Sequence, residues 1–259
     1  MEFLKQPRRR SLLSEGLYLL LNIILVVVVL VSIIVVQSPL PGIVLVLLSK
    51  WRVLAVRPRY WMAHVQTNIV DTVVGLSFAL LIYEAIGSLG LQIALTILYA
   101  IWQLWLKPKS TRGYMAVQAG VSVFLGVSAL YAVAYNWPSS LVVIVMWVIA
   151  YAAARHVLGS FEEAHRSFFS MAWGFVMAEF GWLFYHWTFT YSFGGSGGVK
   201  IAQVAIVVTV IHFVAYKVYA SIYHNKHLRL NDVLLPILLS GSVVLVLLVF
   251  FNTIPITGS

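Results

Sequence analysis

The chain has 259 residues, of which 61% are hydrophobic and 10% charged, and it contains no cysteine. That charged fraction lies far below the quarter typical of soluble domains, and the missing thiols exclude disulfides, thiolate metal sites, Fe–S clusters and a cysteine nucleophile. The formal charge of +9 does not by itself indicate nucleic acid, because in an apolar chain basic residues collect on cytoplasmic loops and set orientation.

In chain order, residues 1–15 form a basic cytoplasmic tail. The apolar run behind it, Gly16 to Val36, is too long for a signal-peptide core and is followed by a poor cleavage site, so it reads as a retained signal anchor. It exceeds the roughly 20 apolar residues that a bilayer core requires. "SPLPG", Ser38 to Gly42, breaks it, since prolines cannot continue a helix. A second, weaker segment runs from Leu40 to Val56, with Lys50 and Arg52 in its last turns. Seven more follow: His64 to Ile86, Leu89 to Leu106, Tyr114 to Tyr135, Ser139 to Val157, Ser167 to Thr190, Lys200 to Tyr223, and Val233 to Phe251.

The expected fold is therefore all-α, a polytopic bundle of about nine transmembrane helices whose second segment is short or re-entrant. Residues 16–252 form a single membrane domain, and 253–259 a short extracytoplasmic tail. With the N-terminus inside, 16 of the 17 Lys and Arg residues fall at or near the inner face, leaving Lys200 outside. Reading Gly16 to Leu48 as one long helix would instead place "SKWRVLAVRPRYW" outside and invert every later loop. The pattern points to the cell (plasma or inner) membrane, with the C-terminus extracytoplasmic. The largest outer loop, "YSFGGSGG", is glycine-rich and expected to be mobile.

Charged groups inside a span cost about 2.5 to 3.5 kcal/mol each on insertion scales, so each requires a reason. At about 1.5 Å of rise per residue, Glu179 and His212 both fall near the midplane of adjacent antiparallel segments and are expected to pair. Asp71 and Lys217 each lie about 10 Å from the inner ends of their segments and form a second depth-matched pair. Glu179, Trp182, Leu183 and His186 share a helical face. His186 lies about 6 Å from the outer end, so with Trp182 it belongs to an outer aromatic rim or vestibule. Either pair can also serve only to lock helices together.

In "SKWRVLAVRPRYW" aromatic and basic residues alternate. Beside membrane spans this reads as anchoring of Lys50, Trp51, Arg52, Arg57 and Arg59 on anionic lipid headgroups, with no nucleic-acid role. "FEEAHR", Phe161 to Arg166, resembles the paired-glutamate motif of the CPBP intramembrane proteases in its two glutamates. Arg166 comes one position early and the downstream histidine motifs are absent, so Glu162, Glu163 and His165 are read as a solvated loop. His186 and His212 differ in depth by roughly 10 Å, which argues against a bridged haem. No cofactor and no metal site are expected.

The leading functional expectation is a small transporter or channel for a proton, cation or small solute. Glu179 is its midplane carboxylate, His212 its partner, and Asp71 with Lys217 an inner-leaflet gate. One alternative is a non-catalytic subunit or scaffold of a larger membrane complex, with other membrane subunits or further copies of the chain as partners. The other is an intramembrane enzyme acting on lipid, using polar residues gathered near the inner headgroups, among them His64, Asn68 and Asp71.

Overall fold

The computed structural model describes residues 12–51, 55, 57–187, 189–193 and 198–251. Among these residues the chain forms nine α-helices and one small antiparallel hairpin: α1 (Leu12–Val36), α2 (Leu40–Ser49), α3 (Trp61–Glu84), α4 (Leu89–Ile101), α5 (Arg112–Val133), α6 (Ser139–Ser160), α7 (Arg166–His186), β1 (Thr190–Phe193), β2 (Val199–Ala202), α8 (Gln203–Asn225) and α9 (Leu230–Phe250). Each apolar segment of the sequence thus appears as a helix. Seven of them are long and apolar enough to cross a membrane, and α3, with 24 residues, matches them in length. The protein is an all-α polytopic bundle.

The exception in length is α2. Its ten residues rise only about 15 Å, half of a bilayer core. Pro39 and Leu40 start it, directly behind the turn at Gln37, whose φ of 51° reverses the chain at the end of α1. The helix then runs back against α3 at very close range. A Cβ on Gly42 would meet Ile33 Cδ1 at 2.7 Å and Ala79 Cβ at 3.3 Å, and one on Gly75 would meet Val46 Cγ1 at 2.8 Å. Gly42 opposite Ala79 and Val46 opposite Gly75 are successive turns of two antiparallel helices, and the next turn sets Lys50 opposite Asp71.

Two apolar cores result. Val26, Val29 and Ile33 of α1 join Val46 of α2, Val74, Phe78 and Ile82 of α3, and Tyr99 of α4. Val123, Val127 and Tyr131 of α5 join Met146, Ile149 and Ala153 of α6, Met177 of α7, and Ala205 and Val208 of α8. Helix α5 links them, packing on α3, α6 and α8, with Gly126 wedged between Val73 and Ile149.

Of the expected mobile outer loop, residues 194–197 lie outside the described residues, and the segments on either side of them are paired. Thr190–Phe193 pairs antiparallel with Val199–Ala202, Tyr191 opposite Ile201, and Val199 and Ala202 are buried. The β-branched and aromatic residues flanking the glycines favour extended pairing. The strands shorten both neighbouring helices relative to the sequence expectation: α7 ends at His186 rather than Thr190, and α8 begins at Gln203 rather than Lys200.

The α2–α3 approach has a measurable consequence. Gly75→Leu would force Val46 away and, with it, the end of α2. Overpacking of this kind costs about 1–3 kcal/mol, so the variant should show a lower Tm in detergent than a Gly120→Leu control, since a Cβ at Gly120 meets nothing within 4 Å. Equal Tm values would contradict the packing.

Candidate functional site

Asp71 lies ten residues past Trp61 and thirteen before Glu84, near the middle of α3 and about 15 Å from its start. Only 8% of the residue is exposed. A lone carboxylate there would be costly, and the structure surrounds it with donors. The Lys50 ammonium, delivered by the C-cap of α2, pairs with Oδ2. The Lys107 ammonium lies 2.8 Å from the same oxygen. Trp102 Nε1 donates to Oδ1 at 3.0 Å.

The last turn of the fourth span positions two of these three groups. Trp102–Leu106 is π-helical, with the Lys107 N–H donating to the Trp102 carbonyl at 2.9 Å. A π turn closes over five residues rather than four, which brings Trp102 and Lys107 onto one side, above Asp71. Gln103 lies behind them: its Nε2 donates to the Tyr99 hydroxyl at 3.0 Å, and its Oε1 accepts from Lys107 at 2.9 Å. Tyr99 stacks on Phe78 at 5.0 Å. Two ammonium groups on one carboxylate leave a formal excess of one positive charge.

A cavity of about 1000 Å³ extends from this cluster toward the start of α1 and α3. Its α3 wall carries Asp71, Asn68 and His64, successive turns of one helical face. Its α1 wall is mostly apolar: Leu17, Leu21, Ile24, Leu25 and Val28, with Tyr18 and Asn22 interspersed. The space exists because α2 and α4 both stop at the level of Asp71, whereas α1 and α3 continue.

This arrangement corrects the expected pairing of Asp71 with Lys217. The Lys217 ammonium instead lies over the rings of Phe213 and Tyr216, at 5.6 and 6.0 Å, beside a separate cavity of about 530 Å³ between α5 and α8. Helix α5 stands between α3 and α8 and keeps the two apart. Lys50 is also corrected: it is not a headgroup anchor but a ligand of the buried carboxylate. Trp51, Arg57 and Arg59 are exposed, with the Arg59 guanidinium over the Tyr60 ring at 4.6 Å. Arg52 lies outside the described residues.

The expected Glu179–His212 contact is not formed. His212 is 6% exposed, and its Nδ1 accepts from Trp173 Nε1 at 3.2 Å. It borders two cavities, of about 290 and 530 Å³. Because α7 and α8 run antiparallel with Trp173 beside His212, Glu179 sits six residues farther along, about 9 Å away in level. Direction separates them too. α7 turns Ser170, Gly174, Met177, Ala178 and Gly181 inward, and Glu179 is exposed. His186 and Trp182 are exposed at the far end, with their rings 5.2 Å apart.

In the loop read as solvated, Glu163 is half-buried. The Tyr219 hydroxyl donates to it and holds its carboxyl below the usual range, helped by the His165 backbone N–H. Among the described residues no group of three or more His, Asp and Glu side chains is arranged to hold a metal ion.

Sequence reading located Asp71 but missed Lys50, Lys107 and Trp102. From the sequence Lys50 reads as a headgroup anchor and Lys107 only as one of the basic residues at the inner face. The available signal was length: each ends a segment barely long enough, or too short, to clear the bilayer.

No family model matches the chain, and no curated protein or solved structure matches it.

The charge count makes a stability ranking. Asp71→Asn leaves two ammonium groups facing each other without a counter-charge, and breaking a buried pair in this way costs about 3–5 kcal/mol. Lys107→Met leaves a balanced Lys50–Asp71 pair and should cost clearly less. Thermal unfolding of the two variants in one detergent should therefore place Asp71→Asn lower; the reverse order would refute the cluster's charge balance.

Proposed function

We propose that the protein is a membrane carrier for a small amphiphilic anion, bound in the cavity that ends at Lys50, Asp71 and Lys107. The observation that carries this reading is the excess positive charge at the closed end of a cavity of about 1000 Å³ with one polar and one apolar wall. That volume suits a small-molecule ligand, for which sites of about 300–1000 Å³ are usual. An anionic head would be drawn to the lysines and could exchange with Asp71 as their counter-ion, while an apolar tail lay along Leu21, Ile24 and Leu25.

The sign of the charge excess favours an anion over the proton or cation expected from Glu179. Beyond the cluster, Val46, Val74 and Phe78 are fully or almost fully buried and form an apolar seal toward the opposite end. The cavity is then one side of a carrier that has to open on the other side in turn. In this reading the end rich in Lys and Arg is cytoplasmic, the N-terminus is inside, and the chain resides in the cell membrane, because positive loops are retained on that side.

Uptake into proteoliposomes tests the reading with radiolabelled hexanesulfonate, an amphiphilic anion that stays charged and does not cross lipid as a neutral acid. Wild-type protein should show saturable uptake, Lys107→Met should reduce it at least tenfold, and hexyltrimethylammonium should not be carried. Uptake by Lys107→Met at the wild-type rate would refute the proposal.

A further inference from the structure

Helix α7 carries a carboxylate on the side turned away from the rest of the described bundle. Its inward face is made of small residues and packs closely on α6: a Cβ on Gly174 would fall 2.8 Å from the Trp147 ring, and one on Gly181 2.8 Å from Met146 Cγ. Glu179 points the other way. It is exposed in a stripe with Phe168, Phe175, Trp182 and Leu183, residues that suit lipid or another helix. Thirteen residues separate it from Arg166 and seven from His186, so about 20 Å and 10 Å of helix lie on either side. A side chain that short cannot snorkel to either surface from this depth. Both described ion pairs belong to Asp71, and among the described residues none forms a hydrogen bond or ion pair with Glu179.

We infer that this face of α7 is a docking surface for a transmembrane helix of a different protein, one carrying a lysine or arginine at mid-membrane depth that pairs with Glu179. Charge complementarity carries the assignment, because in hydrocarbon an intramembrane ionisable group is expected to find a partner of opposite charge. The flanking aromatic residues would frame that contact and exclude lipid from it.

A second copy of this chain does not supply the cation. Among the described residues, its one intramembrane lysine without a carboxylate is Lys217, five residues beyond His212 toward the basic end. Glu179 lies six residues beyond Trp173 in the opposite direction, and Trp173 and His212 are at one level. The two charges are therefore about 16 Å apart in depth. In an assembly of parallel copies that gap is far beyond the 4 Å of an ion pair. The inference is independent of the Asp71 cavity and stands or falls without it.

The test uses the full chain, labelled with a donor fluorophore in phosphatidylcholine vesicles, and a synthetic leucine-rich helix bearing one central lysine and an acceptor. Energy transfer should report association at least tenfold tighter than with the same peptide bearing leucine at its centre. Moving the peptide lysine to one end should abolish the gain. Glu179→Gln should remove it and Glu179→Asp restore most of it; since the side chain is exposed, both variants should elute and fluoresce as the wild type does. Equal binding by Glu179→Gln, or no preference for the central lysine, would overturn the inference. So would self-association without peptide, by single-molecule photobleaching, that is lost in Glu179→Gln, because the occupant would then be a second copy.

Discussion

A carboxylate placed in the middle of a transmembrane helix must be neutralised, and in this protein that requirement organises half of the bundle. Asp71 draws one ammonium from α2, another from the end of the fourth span, and an indole N–H from its π turn. Each donor constrains its own element. Lys50 reaches the site because α2 stops after ten residues and lies against α3 without intervening side chains at Gly42 and Gly75. Trp102 and Lys107 reach it together because the last turn is wound with an extra residue. A helix of ordinary pitch would turn one of them away.

The same economy opens the cavity. Two helices that end at the depth of a buried charge leave unfilled space beneath it, bounded by the two neighbours that continue. The walls of that space differ because α1 is apolar along most of its length, whereas α3 presents Asp71, Asn68 and His64 along one face. An amphipathic cavity ending in net positive charge follows from the lengths of four helices rather than from any local motif.

The other half of the bundle has a different logic. α5 to α8 pack through small residues and aromatic rings around Met146, Met177 and Phe161, with no buried ion pair among the described residues. His212 is held there by Trp173, and the carboxylate of α7 is directed outward. One half thus buries its charges and satisfies them internally, while the other exposes one in an apolar stripe. That asymmetry separates a candidate ligand site from a candidate partner surface within one small chain.

The sequence alone determined the all-α polytopic class, the nine helical segments, the weakness of the second, and Asp71 as a buried group that needed a partner. Those properties are local: they follow from runs of apolar residues, from proline breaks and from the cost of charge in hydrocarbon. It did not determine which cation neutralises Asp71. Depth counted along separate helices matched it to Lys217, but α5 stands between them, and the ends of α2 and α4 reach the site first. Glu179 and His212 failed as a pair for a related reason: the register of α7 against α8 sets Trp173 rather than Glu179 beside His212, and α7 turns its small residues inward and leaves the glutamate exposed. Only the tertiary structure decided these pairings, because which helices are neighbours and which faces they share depends on packing between segments distant in the chain, and neither periodicity nor hydropathy records it.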